Sequence, residues 1–221
     1  MKFKHSMKVV SFDLDGTLIN TLADIAGACN MTLEDVGLPT HPVSAYSRFV
    51  GNGSRKLCER ASGLDGQQLD GFEKKYRKNY LDHLIVLSKP YENIREVLET
   101  LLSRGKKLVV FTNKPQLNSE RIIESLLENI EFGRIIGQCA DTPCKPDPAG
   151  ILKLCEDWHI QPEEIAHIGD STVDVMAAKN AGMVSIGAAW GFLGDTPFQV
   201  SPVPDRVAQT PLDILSIDFL K

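Results

Sequence analysis

The chain has 221 residues, with 24 Lys and Arg against 29 Asp and Glu and 43% hydrophobic residues. That length holds one sizeable core with room for a smaller companion, and the ordinary composition excludes a disordered, fibrous or membrane-embedded chain. The net charge of −5 argues against nucleic acid as a partner, so a bound phosphate group would have to be met by locally concentrated positive charge.

No apolar run approaches the roughly 20 residues of a membrane span. The apolar stretch after Met1-Lys-Phe-Lys-His-Ser6 is too short for a signal peptide, so a cytoplasmic location is expected, with residues 1–6 read as a dispensable tail ahead of Met7. The five cysteines (Cys29, Cys58, Cys139, Cys144, Cys155) are odd in number and lack a Cys-x-x-Cys pair, which fits reduced thiols.

In chain order, Val9–Phe12 is a β-prone run that stops at Asp13-Leu-Asp-Gly-Thr17. Carboxylates are thus delivered at the C-terminal end of a strand, the edge where open α/β sheets bind ligands. From Leu22, apolar positions recur at Ile25, Ala26, Cys29, Leu33 and Val36, a helical spacing ended by Gly37 and Pro39. Further helical stripes follow at Leu57, Cys58, Ala61 and at Leu69, Phe72, Tyr76, with no strand between about 20 and 86. After Lys89-Pro90 a helix through Ile94, Val97, Leu98, Leu101 and Leu102 closes at Gly105 and leads into a strand over Lys107–Thr112. Strands at Arg134–Gly137, Ile165–Gly169 and Val184–Ile186 then alternate with helices at Gln116–Leu127, Ala149–Trp158 and Val173–Ala181. A proline-bearing loop over 194–205 precedes a final helix around Leu212–Phe219. This alternation predicts an α/β fold: a mostly parallel sheet covered on both faces, built from 1–19 and 87–221, interrupted by a helical insert over 20–86.

Asp13 and Asp15 lie two apart before a glycine turn, so both can face one cleft; alone, such a pair is as readily a surface turn. A second acidic pair, Asp170 and Asp174, follows the run Ile168-Gly169, where Ser171 is also placed to cap a helix. Four carboxylates at one sheet edge repel unless a cation joins them, and oxygen-only ligands suit Mg²⁺ better than Zn²⁺. Thr112 and Asn113 end a strand with a hydroxyl and an amide able to bond phosphate oxygens, or simply to cap a helix. Lys145 sits in Cys144-Lys-Pro-Asp-Pro148, stiffened by two prolines. The five histidines show no ligand spacing and read as surface or core residues.

Taken together and in order, Asp13-Leu-Asp-Gly-Thr17, Thr112-Asn113, Lys145-Pro-Asp-Pro148 and Gly169-Asp-Ser-Thr-Val-Asp174 resemble the four motifs of the haloacid dehalogenase-like phosphatase superfamily. The resemblance implies a Rossmann-like core carrying a small α-helical cap at 20–86. It makes Asp13 the nucleophile that forms an aspartyl-phosphate, and Asp15 the general acid and base. It places Mg²⁺ on the Asp13 carboxylate, the Asp15 backbone carbonyl and Asp170, with Asp174 supporting from nearby. Thr112, Asn113 and Lys145 would hold the phosphoryl oxygens. Four carboxylates against Lys145 leave a phosphate dianion facing net negative charge, which makes the metal obligatory.

For the leaving group, the turn Val50-Gly51-Asn52-Gly53-Ser54, with Arg48, Arg55 or Lys56, offers N–H groups and cations to an anion, although a hinge-like turn with solvated cations has the same pattern. With Thr112-Asn-Lys114 and Ala189-Trp-Gly-Phe192, it resembles the phosphoglycolate phosphatase group, implying 2-phosphoglycolate as substrate. Sugar phosphates, nucleoside monophosphates, pyrophosphate, a sugar-phosphate mutase and a non-catalytic phosphate or metal sensor remain as alternatives. The expected partner is a small phosphate ester, with no nucleic acid and no membrane, for a monomer or homodimer. Cap motion at linkers near 18–22 and 85–90 is expected to accompany turnover.

Overall fold

The computed structural model describes residues 7–221, so the six-residue tail expected at the N-terminus lies outside the described residues. The elements run β1 (Val9–Phe12), β2 (Ile19–Asn20), α1 (Leu22–Asp35), α2 (Gly53–Ser62), α3 (Gly66–Asp82), β3 (Lys89–Pro90), α4 (Ile94–Ser103) and β4 (Lys107–Pro115). They continue as α5 (Gln116–Leu126), β5 (Phe132–Gln138), α6 (Ala149–Trp158), β6 (Ile165–Gly169), α7 (Thr172–Ala181), β7 (Val184–Ala188) and β8 (Arg206–Ala208).

Six strands form one parallel sheet in the order β5-β4-β1-β6-β7-β8. Strands β1, β6 and β7 are buried at every position, as expected where helices cover both faces of a parallel sheet. Helix α4 turns Ile94, Val97, Leu98 and Leu101 inward, the apolar stripe read from its spacing. Since β1 lies between β4 and β6, the loop after β1, the end of β4 and the loop after β6 open side by side.

Helices α1–α3 fill the long insert and bury Leu33, Tyr46, Leu57, Cys58, Leu69, Phe72 and Tyr76. Its entry and exit meet in a small antiparallel pair, Ile19 opposite Pro90 and Asn20 opposite Lys89. Asp24 fastens the same crossing. Its carboxylate accepts from the backbone N–H groups of Val86, Leu87 and Ser88 at 2.8–3.0 Å and from the Ser88 hydroxyl at 2.6 Å.

The C-terminal region departs from the sequence reading. Instead of a helix over Leu212–Phe219 there are two 3₁₀ turns, Pro211–Ser216 and Asp218–Leu220, because Ile217 between them is extended at φ −70°, ψ 121°. Between the proline-bearing loop over 194–205 and these turns lies the edge strand β8, only three residues long and too short for a hydrophobic pattern to show.

Candidate active site

At the end of β1 the Asp13 N–H donates to Ile168 O at 2.8 Å, tying the first acidic loop to β6. Gly16 turns the chain back at φ 83°, and a Cβ there would collide with Asp170. Gly191 is under the same constraint against Asp170, and Gly169 against Asp174. Three glycines therefore clear the space into which the acidic side chains pack. The stretch Ala189-Trp-Gly-Phe192 completes this support: Trp190 Nε1 donates to Thr17 O at 2.9 Å, and the Phe192 N–H donates to Asp170 Oδ2 at 3.1 Å.

Asp13, Asp170 and Asp174 each present a carboxylate oxygen within 4.8 Å of one another, and all three are buried. Burial, then the neighbouring charges of Asp13 and Asp174, holds the Asp170 carboxyl well above the usual carboxylate range. Asp13 is pushed up to about 6 by burial, against the pull of Lys145. Three crowded, desolvated acids with oxygen donors only fit a hard divalent cation.

Lys145 provides the positive charge within the cluster. Its ammonium donates to Asp13 Oδ1 at 2.8 Å, Asp174 Oδ1 at 2.6 Å and Phe111 O at 2.8 Å, which uses all three protons. Burial works against this charge, but Asp13 and Asp174 outweigh it and raise the lysine pKa above its ordinary value. Asp174 has both oxygens engaged, Oδ1 by Lys145 and by His167 Nε2 at 3.3 Å, and Oδ2 by the Ser171 N–H at 3.1 Å and the Ser171 hydroxyl. Although burial alone would raise it, Lys145 and His167 hold the Asp174 carboxyl far below the ordinary range. Ser171 is at once the N-cap of α7 and a brace for Asp174.

Thr112 and Asn113 lie at the end of β4 and line the same cavity as Asp13 and Lys145. Asn113, expected on a phosphoryl oxygen, spends its amide on backbone: Oδ1 accepts from the Lys145 N–H, while Nδ2 donates to Lys145 O and to Gly51 O. Gly51 and Gly53 of the predicted anion-binding turn reach the cavity wall. Asn52 instead accepts from Arg60, Arg55 pairs with Asp70 at 2.6 Å, and Lys56 pairs with Glu59 at 2.6 Å. Arg77 also lines the cavity, with its guanidinium forked onto Glu73.

Several contacts of the site could not be read from the sequence pattern. The Asp15 carboxylate accepts from the Lys114 ammonium at 2.9 and 3.0 Å and from the Thr21 hydroxyl at 2.7 Å, and Lys114 donates to the Tyr80 hydroxyl of α3 at 2.6 Å. His167, read as a surface or core residue, sits between Ser11 and Asp174. Burial lowers its pKa, so the neutral ring braces Asp174. The cue for Tyr80 was its spacing four residues after Tyr76 on one helix, since a buried tyrosine needs a partner for its hydroxyl.

Residues 10–188 match the model of the haloacid dehalogenase-like hydrolase family. The chain belongs to the haloacid dehalogenase-like hydrolases. Within them it falls in the phosphoglycolate phosphatase-like group and is an enzyme of the phosphatase class. It is 34% identical to a phosphoglycolate phosphatase of Aquifex aeolicus, over 96% of this chain and 96% of that one. With a phosphoglycolate phosphatase of Mannheimia succiniciproducens the identity is 32%, over 95% and 97%. A crystal structure described as a predicted phosphoglycolate phosphatase from Haemophilus somnus superposes with a TM-score of 0.88 at 31% identity, covering 97% of this chain and 99% of that one. Haloacid dehalogenase-like phosphatases use a divalent metal, and the buried acidic triad is the matching feature here. No helix among the described residues is long and apolar enough to cross a membrane.

Proposed function

We propose that this phosphatase hydrolyses 2-phosphoglycolate to glycolate and phosphate through an aspartyl-phosphate on Asp13, with Mg²⁺ as the metal. The observation that carries the reading is the joint placement of Asp13, Asp15, Lys145 and Asp170 around one cavity at the C-terminal edge of the sheet. The substrate assignment is supported by the relatives' names and by the cavity itself, about 110 Å³, well below the 300–1,000 Å³ that accommodates larger ligands.

Asp13 and Asp170 would hold the metal, with the Asp15 backbone carbonyl, while Asp174, its oxygens already bonded, supports Lys145. When bound, Mg²⁺ supplies positive charge where the phosphoryl oxygens gather negative charge. The Asp13 carboxylate attacks phosphorus in line with the ester oxygen. Asp15 gives that oxygen a proton as the bond breaks, then takes one from the water that cleaves the acyl phosphate. Lys145, held by three acceptors, keeps a fixed ammonium at the phosphoryl end. Asn113 shapes that end through the backbone of Lys145, and Thr112 presents its hydroxyl from β4. Residues 20–86 act as the cap and residues 1–19 and 87–221 as the catalytic core, in a cytoplasmic enzyme.

The test is phosphate release from 2-phosphoglycolate, sugar phosphates, nucleoside monophosphates and pyrophosphate, with Mg²⁺ or EDTA and with Asp13→Asn as the blank. A kcat/KM for 2-phosphoglycolate at least about 100-fold above the others, roughly 2.7 kcal/mol of transition-state discrimination, is the expected result. A metal-dependent but even profile would remove the substrate assignment.

A further inference from the structure

Lys114 is a buried cation that the phosphoryl chemistry leaves unused. It stands one residue before the end of β4 with its side chain 2% exposed, and its ammonium lies between Asp15 of the core and the Tyr80 hydroxyl of α3. Because that hydroxyl accepts from Lys114, its own proton remains to be donated, and no acceptor for it is found among the described residues. Burial, with Asp15 and Asp24 nearby, keeps Tyr80 protonated. Ammonium and phenol together form a two-donor cradle beside Asp15, within a cavity walled by Ile25, Leu57 and Tyr76.

The other cations of the cavity are committed elsewhere. Lys145 is held by two buried carboxylates, Asp13 and Asp174, and by Phe111 O, and Arg77 is forked onto Glu73, whereas Lys114, also with three acceptors, answers the single carboxylate of Asp15. The predicted anion-binding turn around Gly51 brings no cation, since Arg55 and Lys56 pair outward. A second negative charge on the substrate, a few bonds from the ester oxygen that Asp15 serves, would meet Lys114 first.

We propose that Lys114 and Tyr80 are the specificity-determining pair that receives the carboxylate of the leaving group. The inference rests on the reading of Asp13 and Asp15 as the hydrolytic pair. Lys114 exchanges the Asp15 carboxylate for that of the substrate, and Tyr80 donates the second hydrogen bond. Since one donor comes from the core and the other from the helical insert, recognition requires the insert to be seated over β4. An ester with a neutral tail finds no partner there and leaves Lys114 on Asp15.

The experiment compares 2-phosphoglycolate with 2-hydroxyethyl phosphate, which replaces the carboxylate by a neutral hydroxymethyl group, in wild type, Lys114→Met and Tyr80→Phe. The ratio of the two kcat/KM values is expected to fall about 100-fold in Lys114→Met and about 10-fold in Tyr80→Phe, mainly through KM, as for loss of charge-assisted hydrogen bonds. Any loss of support for Asp15 lowers both substrates alike and cancels in the ratio. The same variants are made in the Asp13→Asn background, and the Kd ratio of the two esters is measured by calorimetry with Mg²⁺ present, where parallel falls are expected. A change of less than threefold in both ratios overturns the proposal, while ester hydrolysis by the wild type would leave the hydrolytic reading standing. If the wild type hydrolyses neither ester but the Kd ratio falls as stated, the hydrolytic reading fails and the carboxylate site stands.

Discussion

The side-chain amide of Asn113 closes on both backbone polar groups of Lys145, accepting from its N–H at 2.6 Å and donating to its carbonyl at 3.0 Å. The loop that delivers Lys145 is thereby referenced to β4 rather than to its own neighbours. Asn113→Asp keeps the acceptor and loses the donors, so about a tenfold fall in kcat/KM is expected; Asn113→Ala loses both, with about a 100-fold fall. The buried Lys145 N–H left unpaired in Asn113→Ala should also cost about 1–3 kcal/mol in urea unfolding. Wild-type turnover in Asn113→Ala would refute this role.

That contact also shows where the sequence was readable. The alternation of strands and helices, and the four polar motifs at strand ends, follow from hydrophobic period and turn residues and are visible one segment at a time. What Asn113 touches is not, because an amide at a strand end looks the same whether it faces a phosphate or a backbone 32 residues away. Lys114 and Thr21 meet on Asp15 and Tyr80 in turn meets Lys114, a coincidence that only the packing of the insert over the sheet creates. The two-residue strands β2 and β3 and the short β8 carry too few residues for any period.

Among the described residues the Asp170 carboxylate accepts one hydrogen bond, from the Phe192 N–H, and burial, Asp13 and Asp174 oppose its charge. Asp170→Asn removes that opposition. The variant should unfold at a higher temperature than wild type in EDTA, by about 1–3 kcal/mol in stability, and should lose both activity and the Mg²⁺-induced rise in Tm. A lower metal-free Tm would contradict the reading of Asp170 as a group whose burial serves the metal.

Gly16 and Gly191 leave no room for a side chain. Gly16→Ala meets a positive φ of 83° and a collision with the carboxylate end of Asp170, and Gly191→Ala collides with Asp170 Cβ and with the backbone oxygen of Gly16. Both should lose stability, Gly16→Ala by at least the roughly 1 kcal/mol of its left-handed backbone, and both should lose activity and the Mg²⁺-dependent Tm shift. Retained activity in Gly191→Ala would show that Asp170 can be moved without consequence.

Asp24 caps three successive backbone N–H groups where the chain leaves the insert. Asp24→Ala should cost about 3 kcal/mol in chemical denaturation and speed amide exchange at Val86, Leu87 and Ser88. It should also raise KM for 2-phosphoglycolate, since Tyr80 is carried by the same insert. Unchanged exchange at those three amides would separate Asp24 from the crossing.

In the proposed reaction Asp13 takes the phosphoryl group of 2-phosphoglycolate. Enzyme mixed with 2-phosphoglycolate and Mg²⁺, quenched within a turnover and reduced with borohydride, should yield homoserine in place of aspartate at position 13 by peptide mass spectrometry, and none with EDTA. Steady turnover of 2-phosphoglycolate with residue 13 recovered only as aspartate, in an enzyme whose trapped phosphoryl group lies on another residue, would contradict the account.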